Sequence, residues 1–97
     1  MAVIPDKHVW VFNGARGIPG GVFSTLDRAE AWILQHRLSG ILTCYPLDEG
    51  CFDWAFREGV TNLKAEKRAI RQFDAEFIAN FSTASQEHYH YENGIRF

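Results

Sequence analysis

The sequence predicts an α+β domain. It would hold a small antiparallel or mixed sheet of about four strands, with two to four helices packed mainly on one face. Three observations carry this reading. Two short β-prone runs flank a glycine- and proline-rich loop, at 7–13 and 22–25. The stretch "STLDRAEAWILQHRLSG" has a cap, an apolar stripe and a terminal glycine. A late run, "EHYHYENG", alternates as a strand does and ends on a turn pair. The chain of 97 residues suits one domain, 1–97. At that size folding buries roughly 60–70% of the unfolded surface, enough for one core.

The first run, "KHVWVFN", sets His8, Trp10 and Phe12 on one side and Val9 and Val11 on the other. "GARGIPGG" follows, then "VFST", so the pair reads as a hairpin. Ser24 or Thr25 caps the first helix and Asp27 lies in its first turn, at the positive dipole end. Leu26, Ala29, Trp32 and Ile33 form its apolar stripe, and Gly40 is expected to close it. "ILTCYPL" reads as a third strand stopped near Pro46.

In "DEGCFDWAFREG", Asp48 is the expected N-cap and Gly59 the stop of a short helix with Phe52, Ala55 and Phe56 on one face. From Asn62 the apolar spacing Leu63, Ile70, Phe73, Phe77, Phe81 is helical. That region is one helix, or two with Asp74 capping the second. In the last strand His88, His90 and Glu92 share one face, and Glu87, Tyr89 and Tyr91 the other.

Composition excludes several classes. Apolar and charged fractions of 46% and 23% are those of an ordinary globular protein. No long apolar run is present, so no membrane partner is expected. The opening "MAVIPDKHVW" lacks the basic and apolar regions of a secretion signal, and the expected location is cytoplasmic. Cys44 and Cys51 are then expected as reduced thiols. A net charge of −2 argues against a dedicated nucleic-acid binder.

Candidate chemistry is sparse. Gly14, Gly17, Gly20 and Gly21 follow a strand, but their spacing is not that of a phosphate loop and a second strand comes next. They read as a hairpin tip carrying Arg16. His88, His90 and Glu92 have the donor types and parity of a metal site, with His8 or His36 as conceivable third ligands. The plainer reading has the histidines meeting solvent or loop backbone. His36 complements the negative end of its helix. Ser82, Thr83 and Ser85 precede the histidines without a nucleophile motif, and neither cysteine has a catalytic signature. No cofactor is expected.

Charge offers two surfaces. Lys64, Lys67, Arg68 and Arg71 share a helical face that would suit RNA phosphates. Asp48, Glu49, Asp53 and Glu58 interleave with Phe52 and Trp54, as in a binder of a cationic partner. Asp48, Glu49 and Asp53 are the expected contacts, with Trp54 or Phe52 as anchor.

Longer motifs carry a resemblance. "HVWVFNG" (His8–Gly14), "GVFSTLDRAEAWI" (Gly21–Ile33), "LSGILTCYPLDEG" (Leu38–Gly50), "FDWAFREG" (Phe52–Gly59) and "FIANFSTASQEHYHYENG" (Phe77–Gly94) cover most of the chain. In these it resembles a family of small, uncharacterised bacterial proteins. The family has no established activity, so the resemblance implies no catalytic residue. Thr61–Gln72, which holds the basic stripe, resembles the pattern least. Small acidic bacterial proteins without catalytic motifs are often immunity proteins for secreted nuclease toxins, an analogy of type. The expectation is therefore a non-enzymatic inhibitor of a cationic toxin, with a nuclease as the model case. Its alternatives are a small enzyme built on His88, His90 and Glu92, or an RNA-binding accessory protein.

Overall fold

The computed structural model describes residues 3–60, 67 and 71–97. Five strands make one antiparallel sheet: β1 (His8–Asn13), β2 (Pro19–Phe23), β3 (Gly40–Pro46), β4 (His88–Glu92) and β5 (Ile95–Arg96), in the order β2-β1-β3-β4-β5. Three helices lie among the described residues: α1 (Leu26–His36), α2 (Cys51–Glu58) and α3 (Ala75–Ala79). The class is the α+β expected, with five strands rather than about four. The added strand is β5. Glu92 pairs with Ile95 across the two residues Asn93 and Gly94, both at positive φ, which is the geometry of a tight I′ hairpin.

Strand parity sorts the sheet as the alternation implies. Trp10 and Phe12 pair with Cys44 and Leu42, and Leu42 pairs with Tyr89. With Ala29 and Ile33 of α1 and with Tyr91 they form the main core. Leu26, Trp32, Phe23 and Tyr89 close over it. Trp10 stacks on Tyr89 at 5.9 Å, and Trp32 meets Phe12 edge-on at 5.7 Å. Each such ring pair adds to plain area burial. The opposite face carries Val11, Thr43 and His88 in register, with Val22, Ile41 and Ile95 exposed.

Two local expectations change. Thr25 caps α1, its hydroxyl accepting from the Arg28 N–H, but the left-handed residue ending α1 is Arg37, not Gly40. Gly40 instead begins β3, where a Cβ would stand 2.3 Å from the Asn13 carbonyl oxygen. The second strand runs from Pro19 to Phe23, earlier than expected, because the turn closes at Gly14–Gly17 and the loop's second half pairs with β1. Arg16 lies exposed in that turn.

A second aromatic group forms around α2 and α3. Phe52 meets Phe56, Phe77 and Phe81 edge-on at 4.4, 6.0 and 5.6 Å. Asp74 caps α3, accepting from the Phe77 N–H at 3.1 Å, so a new helix starts there. Phe73 falls in the turn before it and is exposed, off the expected stripe. Leu63 and Ile70 lie outside the described residues.

One buried amide joins the segments. The Gln86 side chain is 1% exposed. It donates to the Cys44 carbonyl at 3.0 Å and accepts from the Thr83 N–H at 3.0 Å. Beside it Val3 bridges to Gln86, and the Val3 N–H donates to the Ser85 carbonyl.

Candidate functional site

The acidic candidates sit where β3 hands over to α2. Pro46 ends the strand, and Asp48 takes a left-handed conformation, φ 60°, in the turn that follows. The N-cap of α2 is Gly50 rather than Asp48, because this turn spends two further residues before the helix begins. Gly59 ends α2 in the left-handed conformation, as expected, its N–H reaching the last carbonyls. Asp48 and Asp53 are exposed, and among the described residues neither joins an ion pair. Glu49 is half-buried and pairs with Arg57 at 2.9 Å; Arg57 also donates to Glu58 at 3.2 Å.

Phe52 and Trp54 do not project as anchors. They are 6% and 1% exposed. Two positions apart on α2, they bury on opposite sides of the helix: Phe52 packs against Phe77 and Phe81, and Trp54 is buried toward the N-terminal segment.

A cleft of about 320 Å³ opens beside this turn. Residues 4–7 form one wall and Leu47 and Glu49 another. Trp54, Arg57 and Glu58 of α2 complete it. Asp6, Glu49 and Glu58 bring three carboxylates against Lys7 and Arg57, which leaves one negative charge uncompensated. Sequence reading found Glu49, Glu58 and Trp54 but missed Asp6 and Lys7. Nothing in the sequence joins the N-terminal segment to α2; the Val3–Gln86 bridge brings it there.

The histidines behave differently from a metal site. The His88 and His90 rings stand 5.7 Å apart, and His88 Nδ1 lies 2.7 Å from the Gln86 carbonyl oxygen. His8 packs edge-on against Trp10 on the core side, with Nδ1 against the Pro5 carbonyl. His36 packs on Trp32 at the end of α1. Among the described residues, no three His, Cys, Asp or Glu side chains come together to hold a metal ion.

Other candidates have structural places. The Thr83 hydroxyl donates to the Val60 carbonyl and accepts from the Ser85 N–H. Cys44 is buried and Cys51 half-buried, and both are free thiols. Burial pushes each up to about 11; the Glu87 charge adds to the effect at Cys44. A thiol held neutral is a poor nucleophile. Of the basic stripe, Lys67 is exposed, Arg71 pairs with Asp74 at 2.8 Å, and Lys64 and Arg68 lie outside the described residues.

The tyrosine face of β4 is a clasp. The Tyr91 hydroxyl donates to Glu30 at 2.6 Å, and Arg96 donates to the same carboxylate. The Arg96 guanidinium lies 3.8 Å over the Tyr89 ring, and the Tyr89 hydroxyl donates to Glu87 at 2.6 Å. This chain ties β4 and β5 to α1.

Among the described residues no helix is long and apolar enough to cross a membrane. Fold and site define a small α+β domain, an antiparallel sheet with α1 packed on its core face, with a charged cleft at the β3–α2 turn. The chain belongs to the family described as a domain of unknown function, DUF7710, whose model matches residues 9–97. Comparison with curated proteins finds no match, and comparison with solved structures finds none.

Proposed function

We propose that this protein is a non-enzymatic binding module that neutralises a cationic protein, in the manner of an immunity protein against a toxin. It meets that partner through Asp48, Glu49 and Asp53. The observation that carries the reading is a pair of exposed carboxylates, Asp48 in the β3–α2 turn and Asp53 in the first turn of α2, neither in an ion pair among the described residues. Fixed surface charge of this kind steers a cationic partner and selects it. The immunity form rests on likeness of type: a small, slightly acidic chain without a metal-binding constellation among its described residues.

The test pairs affinity capture with growth rescue. Wild-type protein is expected to retain a basic partner from lysate of its own cells and to restore growth when that partner is expressed. The double variant Asp48→Lys, Asp53→Lys is expected to lose both, and wild-type retention to weaken with salt. Retention and rescue unchanged by the double variant would place the contact elsewhere.

A further inference from the structure

The sheet has two faces, and α1 packs on one of them. The other is composed like a face that is covered too. Strands with one solvated face alternate apolar and polar residues, whereas strands buried on both faces read as nearly continuous apolar runs. "VWVF" in β1 and "ILTCY" in β3 are of the second kind. Their outward positions hold Val9, Val11, Ile41 and Thr43, where a solvated sheet would hold charges.

Register joins these side chains into a patch. Directly opposed residues of antiparallel strands point to the same face. Val22, Val11, Thr43 and His88 form one row across four strands. Ile41 and His90 form the next. Phe97 extends that row: its N–H donates to the His90 carbonyl at 3.0 Å, and its ring lies 6.0 Å from the imidazole. Val22, Ile41 and Phe97 are 62%, 40% and 78% exposed. Neither row holds an Asp, Glu, Lys or Arg, and Glu92 stands at the corner beside Ile95. Apolar residues exposed singly are ordinary, but a contiguous patch of them across a sheet marks a contact surface.

Charge and shape name the occupant. The net charge of −2 is carried elsewhere on the chain, and a cationic partner finds nothing to pair with in these rows. In a twofold contact a surface meets its own copy, so a charged patch faces its like. This patch has no charge to repel. A sheet face also fits a second sheet face, stacked about 10 Å away with strands aligned to within about 30°. Four of the five strands are five to seven residues long. Such a face measures roughly 24 by 18 Å, and a pair would bury about 900 Å² in all, the size of a weak, reversible dimer.

We infer that this outer sheet face binds a second copy of the chain in a twofold, face-to-face dimer, with Ile41 and Thr43 of the central strand at its middle. The contact goes beyond the cationic-partner reading and is separate from it. Asp48 and Asp53 follow Pro46, at the opposite end of β3 from Ile41.

Sedimentation equilibrium of the full chain at neutral pH tests this. A monomer–dimer equilibrium is expected, with a dissociation constant on the order of 10–100 µM. Ile41→Lys puts a charge in the patch at a residue already open to water. It is expected to weaken association by roughly tenfold or more while circular dichroism shows the fold kept. If that variant loses its fold, Val22→Lys on the edge strand takes its place with the same expected loss. In a mixture of isotope-labelled and unlabelled protein, the Val11 and Ile41 methyls are expected to show contacts between copies. Asp48→Lys, Asp53→Lys is expected to dimerise as the wild type does, even where it loses partner capture. A monomer well into the millimolar range, or association unchanged by the charge in the patch, would overturn the inference. So would association lost with the acidic pair. A chain that stays monomeric but loses a captured lysate partner through Ile41→Lys would give the face to a different protein and overturn it as well.

Discussion

At the residue scale, a few side chains hold positions that no neighbour can fill. Gln86 satisfies a carbonyl of β3 and an N–H of its own turn from inside the core. Gln86→Leu keeps the volume and orphans both groups. It is expected to lower the unfolding free energy by about 1–3 kcal/mol, read from urea denaturation. Gly94 is second. Its φ is +85°, and a Cβ would stand 3.1 Å from Arg37 Cα and 3.2 Å from the Ile33 carbonyl oxygen. Gly94→Ala is expected to cost about 1–3 kcal/mol, from strain and from pushing the hairpin off α1. The Asn93-Gly94 pair was legible as a turn. Its contact with the end of α1 was not, because nothing local records which helix passes 3 Å away.

At the element scale, the chain builds two aromatic groups rather than one. The sheet and α1 share Trp10, Phe12, Ile33 and Leu42, while Phe52, Phe56, Phe77 and Phe81 join α2 to α3. Phe52→Ala is expected to cost about 3–5 kcal/mol. Hydrogen exchange is expected to quicken first in α2 and α3, with β1 and β3 keeping their protection. Uniform loss across the chain would show the two groups to be one cooperative unit. The helical period of 62–81 was visible in the sequence, but the break was not settled until Asp74 was seen capping Phe77. Likewise β5 is too short to carry a pattern. Two residues have no periodicity, and only pairing with Tyr91 and Glu92 makes them a strand.

At the scale of the whole molecule, stability is bounded on both sides of neutral pH. Burial raises the Glu30 carboxyl, but the hydrogen bonds from Tyr91 and Arg96 outweigh it and hold the group below its ordinary 4.5. The Phe77 N–H and Arg71 do the same for Asp74, below 3.8. For a lowered carboxyl the unfolded chain binds more protons, so stability is full above the ordinary value and falls as pH drops through the folded one. The thiols reverse the sign. Cys44 and Cys51 rise from 9.0 to about 11, the folded chain keeps protons longer, and stability falls as pH climbs through that window. A thermal melting profile against pH is expected to be a dome falling below about pH 4.5 and again above about pH 9. Glu30→Gln is expected to flatten the acid limb while lowering stability at neutral pH by about 1–2 kcal/mol. A limb unchanged in that variant would remove Glu30 as a source.

Sequence alone determined the class of fold, the existence though not every boundary of β1 to β4, the capped first helix and the division of β4 into tyrosine and histidine faces. Each depends on spacing along a few residues, and steric rules convert such spacing directly into geometry. Tertiary structure decided the rest. It turned Phe52 and Trp54 inward, left His88 and His90 without a third donor among the described residues, and carried Asp6 and Lys7 to α2 to wall a cleft. These outcomes depend on which distant segments meet, and such contacts leave no periodic mark on a single sequence.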